Sequence, residues 1–439
     1  MDGPQRWVEG VGPRAMKNRH SKLVTIGVTA AAAAFATLVI NNFISGEKKI
    51  RRRIPRRYGT GDPQFERSMS QLLGPPILEG NQVTRLQNGV EIFPAMLAGI
   101  AGAKTTITFE TYIFCAGEIA DRFAEALAAK AREGVRVHVL LDGMGCDCVE
   151  GEPLRRMREA GVEVEVYHLQ NPNRINQRTH RKLLVIDGKL GFTGGVGISD
   201  EWLGDADSPE HWRDTHYQVE GPVVAQLQAA FLDNWMKTHG TVLHGDAYFP
   251  AIEPAGPHRC QMFKSSPMEG SESARLMYLL SITAAERSLR VGNAYFVPDD
   301  LVTATLIAAV KRGVSVEVLV PGPHLDSVLV RGASRHRWGR LLQHGVRIFE
   351  YQRTMYHCKV MIIDDTWVSA GSANFDNRSF RLNDEANLNV FDRDFAQQVS
   401  ENYRRDREDA REITLEEWKR RPLLEKLCDG TVALLRSQV

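Results

Sequence analysis

Short runs of aliphatic and β-branched residues alternate along most of this chain with longer stretches in which apolar residues recur every three or four positions. VRVHVLL from Val135 and KLLVID from Lys182 have the length of buried strands. GEIADRFAEALAAKAREG from Gly117 and DDLVTATLIAAVKRG from Asp299 have helical spacing and end at glycine. Such alternation predicts an α/β layer structure with a mixed, largely parallel sheet. The pattern also repeats. GVRVHVLLDG from Gly134 returns as GVSVEVLVPG from Gly313, GVEVEVYH from Gly161 as GVRIFEYQ from Gly345, and THRKLLVID around His180 as YHCKVMIID around His357. FETYIF from Phe109 likewise matches NAYFVP from Asn293. Similar segments in the same order at a nearly fixed offset are the signature of a duplication. The first half is expected over residues 79–245 and the second over 255–435, joined where Gly, Pro and Asp cluster between His244 and Pro257. Two like units packed face to face place corresponding loops at one pseudo-twofold cleft.

The start of the chain breaks the pattern. No charged residue occurs from Leu23 to Gly46, and its 18-residue core, Leu23 to Ile40, spans roughly 27 Å as a helix, close to the thickness of a bilayer's hydrocarbon. A basic head (1–22), a transmembrane anchor (23–44) and a basic juxtamembrane linker (45–78) are therefore expected, with a cleaved signal peptide or a buried helix as the alternatives. Charge changes the picture further. The 439 residues carry a net +1, yet the first 57 hold 12 Lys/Arg against 3 Asp/Glu, leaving 43 against 51 for the rest. An acidic body argues against a nucleic-acid-coating surface. The basic run after the apolar stretch favours a cytoplasmic body and attraction to anionic lipid. The six cysteines show no disulfide spacing, and Cys146-x-Cys148 reads as two ordinary thiols.

Chemistry concentrates in two HxKxxxxD motifs, His180-Lys182-Asp187 and His357-Lys359-Asp364, placed equivalently in the two halves. In an extended segment His and Lys at i and i+2 share a face, so each pair can hold one anion. Burying two such lysines without anions is costly, which weighs against two plain core histidines. After the second motif Ser372 and Asn374 offer a hydroxyl and an amide to phosphoryl oxygens; the first-half counterpart, Thr193 to Gly197, keeps the glycines and lacks the Asn. Glu385, 28 residues after His357, and Asp214, 34 after His180, are each expected to return to the histidine of their own half and orient its ring. Asp187 and Asp364 close their strands, where turn capping competes with direct chemistry. No carboxylate cluster suggests a metal.

The duplicated motifs, with GSxN after the second, resemble the phospholipase D superfamily. The blocks LLDGMG, HRKLLVIDG, TGGVGISDEW, WRDTHYQVEGPVV and GSANFDNRSFRLNDEANL are similar to its bacterial cardiolipin synthase branch, with similarity from about Gln82 to Tyr403. Gly197 departs from the Asn that many members carry. The resemblance implies two pseudosymmetric α/β/α sandwich halves sharing one cleft, preceded by the transmembrane helix. It implies two-step phosphoryl transfer without cofactor or metal: His180 as nucleophile, His357 as acid/base, with Lys182, Lys359, Ser372 and Asn374 at the phosphate. The expected activity is a phosphatidyltransferase making cardiolipin from two phosphatidylglycerols in a bacterial inner membrane. A phospholipase D-type hydrolase is the alternative, and a catalytically dead scaffold is disfavoured because both His/Lys pairs are intact. No nucleic-acid partner is expected, and the oligomeric state is left open.

Overall fold

A computed structural model describes residues 3, 24–33, 35–37, 50–146, 151–167, 177–267 and 273–432. The chain forms two compact units. One is Met1–Gly46 with Gln170–Asn176, in which residues 24–33 and 35–37 are helical. Among the described residues no helix is long and apolar enough to cross a membrane. The anchor expected over 23–44 lies partly outside them and is not established.

The other unit, Glu47–Leu169 with Gln177–Val439, holds both repeated halves and both HxKxxxxD motifs. Its first half contributes β1 (Leu78–Gln87), β2 (Thr106–Thr111), β3 (Arg136–Asp142), β4 (Glu163–Tyr167), β5 (Arg178–Thr179), β6 (Leu183–Ile186), β7 (Leu190–Gly194) and β8 (Thr215–Glu220). The second contributes β9 (His258–Ser265), β10 (Ser288–Asn293), β11 (Ser315–Pro321), β12 (Arg347–Tyr351), β13 (Lys359–Ile363), β14 (Trp367–Gly371), β15 (Asn383–Val390) and β16 (Ala410–Ile413). Outward from the centre the first half runs β1-β8-β7-β6-β2-β3-β4 and the second β9-β15-β14-β13-β10-β11-β12-β16, and antiparallel pairing of β1 with β9 joins them into one sheet. The repeated sequence is thus a repeated topology about the β1/β9 seam.

Parallel pairing is confined, within each half, to β2-β3-β4 and β10-β11-β12; the neighbours β6, β7, β8 and β13, β14, β15 run antiparallel. The expected largely parallel sheet is corrected accordingly. A parallel step needs a crossover helix, whereas the motif strands are joined by hairpins. At those hairpins Asp187 and Gly188 have φ of 51° and 63°, and Asp364 and Asp365 of 55° and 53°, a left-handed pair for which Asp-Gly is well suited. Gly134, Gly161, Gly313 and Gly345, with φ of 90° to 94°, open the repeated strand segments. Each takes the left-handed position that ends a helix before the chain turns into its strand.

Strand alternation divides the core. On β6, Leu184 and Ile186 face a first-half cluster with Phe93, Phe123 and Leu127, while Leu183 and Val185 face a cluster drawn from both halves. On β13, Met361 and Ile363 enter the second-half core and Ile362 the shared one. Both sheet faces are covered, so the strands read as continuous apolar runs. The helix Glu118–Arg132 buries Ile119, Phe123, Ala124 and Leu127 on one stripe, with acids in its first turn and Lys130 and Arg132 in its last.

Candidate active site

His180 follows β5, the two-residue strand that leaves its own half and pairs in parallel with β15 of the other. His180 N donates to the Asp384 carbonyl at 2.9 Å, and this register sets the imidazole against the next residue of β15. His180 Nδ1 lies 3.0 Å from both carboxylate oxygens of Glu385. The second half repeats the device: Arg213 bridges Tyr356 in parallel, His357 N donates to the Arg213 carbonyl at 2.8 Å, and His357 Nδ1 lies 2.7 Å from Asp214 Oδ2. Each carboxylate therefore serves the histidine of the opposite half. The expectation that Glu385 would return to His357 and Asp214 to His180 is wrong because the segment before each histidine crosses the interface to pair with the other half's backbone.

Both carboxylates are fully buried and the histidines nearly so, at 8% and 6% exposure. Burial opposes ionisation of Glu385, but His180, Lys182 and Ser372 together hold its carboxyl below the usual range. Burial likewise opposes ionisation of Asp214, and the bond to His357 with the charge of Lys359 outweighs it. Ser379 Oγ donates to Glu385 Oε1 at 2.6 Å and Ser372 Oγ to Oε2; Trp202 Nε1 donates to Asp214 at 3.1 Å. Each carboxylate is thus an acceptor with its ring-facing lone pairs reserved for Nδ1, which leaves Nε2 of each imidazole for chemistry. Burial is the main force pushing His180 down to about 4, with Lys182 adding to it against the pull of Glu385. Burial and then Lys359 lower His357, opposed by Asp214.

Lys182 Nζ donates to the His180 carbonyl and Lys359 Nζ to the His357 carbonyl, both at 2.7 Å, and Lys359 Nζ also lies 3.0 and 3.1 Å from the His357 ring nitrogens. Burial pushes Lys182 down to about 7 and lowers Lys359. His180 feels the charge of Lys359, and Lys182 that of Asp214, so the two motifs share one electrostatic site. Two desolvated ammonium groups beside two imidazoles suit an anion that arrives with its own charge. Tyr112 meets the His180 ring edge-on at 5.0 Å; Trp202 and Trp212 flank His357 at 5.1 and 5.2 Å.

The remaining expected site residues separate. Ser372 is committed to Glu385 as an orienting group, not to phosphate. Asn374 is buried, and its acceptor oxygen Oδ1 has no hydrogen-bond partner among the described residues. Asp187 and Asp364, the last residues of the two motifs, do not reach the site: of the roles the sequence leaves open, direct chemistry is corrected and turn capping holds. Asp187 accepts from Lys104 N, Thr105 N and Oγ1 and Thr106 N, and Asp364 from Glu286 N, Arg287 N, Ser288 N and Thr60 Oγ1. Both brace the far hairpin, five residues of strand, or about 16 Å, beyond the motif lysine.

The halves differ for a steric reason. A Cβ on Gly195, the counterpart of Ser372, would lie 2.4 Å from Asp214 Oδ1, and one on Gly197 would meet Ile113 at 2.8 Å and Trp202 at 3.3 Å. Asp214 closes the space at the serine position, and Ile113 with Trp202 closes it at the asparagine position. Sequence reasoning missed Trp202, Ser379 and two buried arginines. Arg181 donates to the carbonyls of Ala230, Ser265 and Glu385 and to Asp233, and Arg213 to both oxygens of Asp406 at 2.8 Å. Their only sequence signal is position, inside HRK and WRD.

A family model described as "Cardiolipin synthase, PLD-like domain" matches residues 96–235 and 278–407. The cardiolipin synthase A of Pseudomonas putida is 38% identical over 355 residues, covering 80% of this chain and 74% of that protein. The cardiolipin synthase A of Pseudomonas fluorescens is 36% identical over 365 residues, covering 82% and 76%. Among solved structures, the phosphatidylserine synthase of Haemophilus influenzae superposes with a TM-score of 0.68 at 14% identity, over 86% of this chain and 100% of that one. At that identity the likeness speaks for the fold.

Proposed function

The chain belongs to the cardiolipin synthase family of phospholipase D-like proteins and is a phospholipid phosphatidyltransferase, and we propose that it joins two phosphatidylglycerols into cardiolipin, releasing glycerol. The observation that carries the mechanism is the crossed pair of buried dyads, His180–Glu385 and His357–Asp214, each with its motif lysine against the histidine's carbonyl. His180 Nε2, neutral because burial disfavours its charged form, attacks phosphorus of the first lipid. The phosphorus–oxygen bond to the headgroup glycerol breaks as His357 Nε2 gives its proton to the departing alkoxide. The incoming phosphate dianion-like transition state offsets the cost that burial and Lys359 impose on protonated His357. The second lipid's glycerol hydroxyl then yields its proton to His357 and attacks, the phosphorus–nitrogen bond breaks, and cardiolipin leaves with His180 restored. Lys182, Lys359 and the Asn374 amide stabilise the negative oxygens. Glu385 and Asp214 hold the two rings and stay ionised.

The basic segment before the body supports a membrane-held enzyme, which gives the lipid acceptor an advantage over water. Analysis of products from phosphatidylglycerol vesicles by mass spectrometry tests the reading. Cardiolipin and glycerol in equal amounts are expected, and His180→Ala and His357→Ala give neither. Predominant phosphatidic acid from the intact protein would replace it with the hydrolase.

A further inference from the structure

His180 follows β5, a strand of two residues that pairs with the other half, so little main-chain bonding of its own fixes how far the histidine enters the cleft. The residue before it supplies what is missing. In an extended segment Thr179 points to the side opposite His180, back into the first half. Both of its polar donors are held there. Thr179 N donates to Asp142 Oδ2 at 2.8 Å, and Thr179 Oγ1 donates to Glu110 Oε1. Asn234 Nδ2 closes the triangle, donating to Glu110 Oε1 at 2.7 Å and to Thr179 Oγ1 at 3.2 Å. Glu110, Thr179 and Asn234 are all fully buried, and Glu110 Oε2 has no hydrogen-bond partner among the described residues. Burial pushes the Glu110 carboxyl up to about 7, against the pull of Arg181 and of the bonds from Thr179 and Asn234. A carboxyl kept in such a place costs stability that an apolar side chain of similar volume would not.

The second half does without this carboxyl. β2 and β10 pair with their motif strands in the same register, Ile107 opposite Ile186 and Leu289 opposite Ile363, each of these partners preceding its motif aspartate. Gly292 is therefore the counterpart of Glu110. A Cβ on Gly292 would lie 2.4 Å from the hydroxyl of Tyr356, the residue before His357. Behind the acid/base histidine a glycine faces a tyrosine hydroxyl; behind the nucleophile a carboxyl holds a threonine hydroxyl. We propose that Glu110 is a positioning residue for His180: through the Thr179 hydroxyl it fixes the depth and heading of the imidazole, and so aligns Nε2 with the lipid phosphorus. Nucleophilic attack depends steeply on such alignment, a displacement of about 1 Å costing on the order of 10²-fold in rate. This role rests on His180 as the nucleophile proposed above, and it holds whether a lipid or water is the second acceptor.

The experiment uses the full chain and short-chain phosphatidylglycerol, with kcat and KM read from glycerol release and thermal unfolding of each variant as the control for folding. Thr179→Val keeps the shape of the side chain and removes the hydroxyl; kcat is expected to fall roughly 10- to 100-fold with KM near the wild-type value. Thr179→Ser keeps the donor and Glu110→Gln the acceptor oxygen, and each is expected to escape most of that loss. Glu110→Ala falls as far as Thr179→Val, and the double variant no further, because the two residues act through one hydrogen bond. An unchanged kcat in Thr179→Val, a loss carried in KM alone, or losses that multiply in the double variant overturn the proposal. Should Glu110→Ala not fold, Glu110→Gln and Thr179→Ser decide: losses as deep as that of Thr179→Val overturn it. Quenched turnover keeps the two readings apart. An adduct on His180 with kcat unchanged in Thr179→Val overturns the positioning role alone, whereas an adduct on His357 overturns the nucleophile that Glu110 is proposed to serve.

Discussion

Glu385→Gln isolates what the crossed carboxylate contributes. Glu385 is fully buried, accepts from His180, Ser372 and Ser379, and sits on the Nδ1 side of the imidazole. An amide of the same shape keeps one oxygen for His180 Nδ1, and its NH₂ can face Ser379, whose hydroxyl can turn to accept. The ring tautomer survives and the charge is lost. Losing the ionic part of a buried charge-assisted hydrogen bond costs about 1.5–3 kcal/mol, so kcat should fall roughly 10- to 150-fold at 1.36 kcal/mol per decade. KM should stay near the wild-type value, because the carboxylate lies behind the histidine and not against the lipid. The assay is the initial rate of labelled glycerol release from phosphatidylglycerol vesicles, with thermal unfolding of the same preparation as the control for folding. An unchanged kcat refutes the positioning role. A loss near 10⁴-fold in a protein that melts normally refutes the tautomer argument, since that is the scale on which an orienting carboxylate replaced by a wrongly facing amide fails.

Asp187→Ala and Asp364→Ala remove acceptors from the far hairpins, so each should cost about 1–3 kcal/mol of stability and lower the melting temperature, while kcat of the folded protein holds; a selective loss of kcat would return them to the catalytic set. The pH profile of kcat/KM follows from two depressed groups. As pH falls through about 4, His180 takes up a proton and stops being a nucleophile, and as pH rises through about 7 Lys182 loses the charge that captures phosphate; a rate still climbing at pH 9 contradicts this. Because Lys182 and Lys359 supply the positive charge at the phosphate, dialysis against a chelator should leave the rate intact, and full loss restored by a divalent ion would refute the lysine-based account.

The duplication and both His/Lys pairs were legible because they depend on local spacing: strand period, helix period and two motifs at matched places. Which carboxylate meets which histidine was not legible. Chain distance favoured Glu385 for His357, but pairing is decided by β5 and by the Arg213–Tyr356 bridge, two short contacts made only after the halves associate. Asp187 and Asp364 misled for a related reason. They belong to the motif in sequence, yet an extended strand carries them away from the lysines and into left-handed turns. Gly197 departs from the family pattern because Ile113 and Trp202 crowd the position where a side chain would begin, and nothing in the sequence says that these two residues meet there. Arg181 and Arg213 were hidden because a buried arginine is recognised by its partners, and these partners come from distant strands and helices.

The central claim is that a phosphatidyl group passes through Nε2 of His180 while His357 moves the proton. Rapid acid-free quenching during turnover on short-chain phosphatidylglycerol, followed by peptide mass spectrometry under conditions that preserve phosphoramidates, tests it most directly. The account predicts an adduct on the peptide containing His180 in the wild-type protein and its absence in His180→Ala. An adduct on the His357 peptide instead, or steady turnover with no adduct on either histidine, would contradict it.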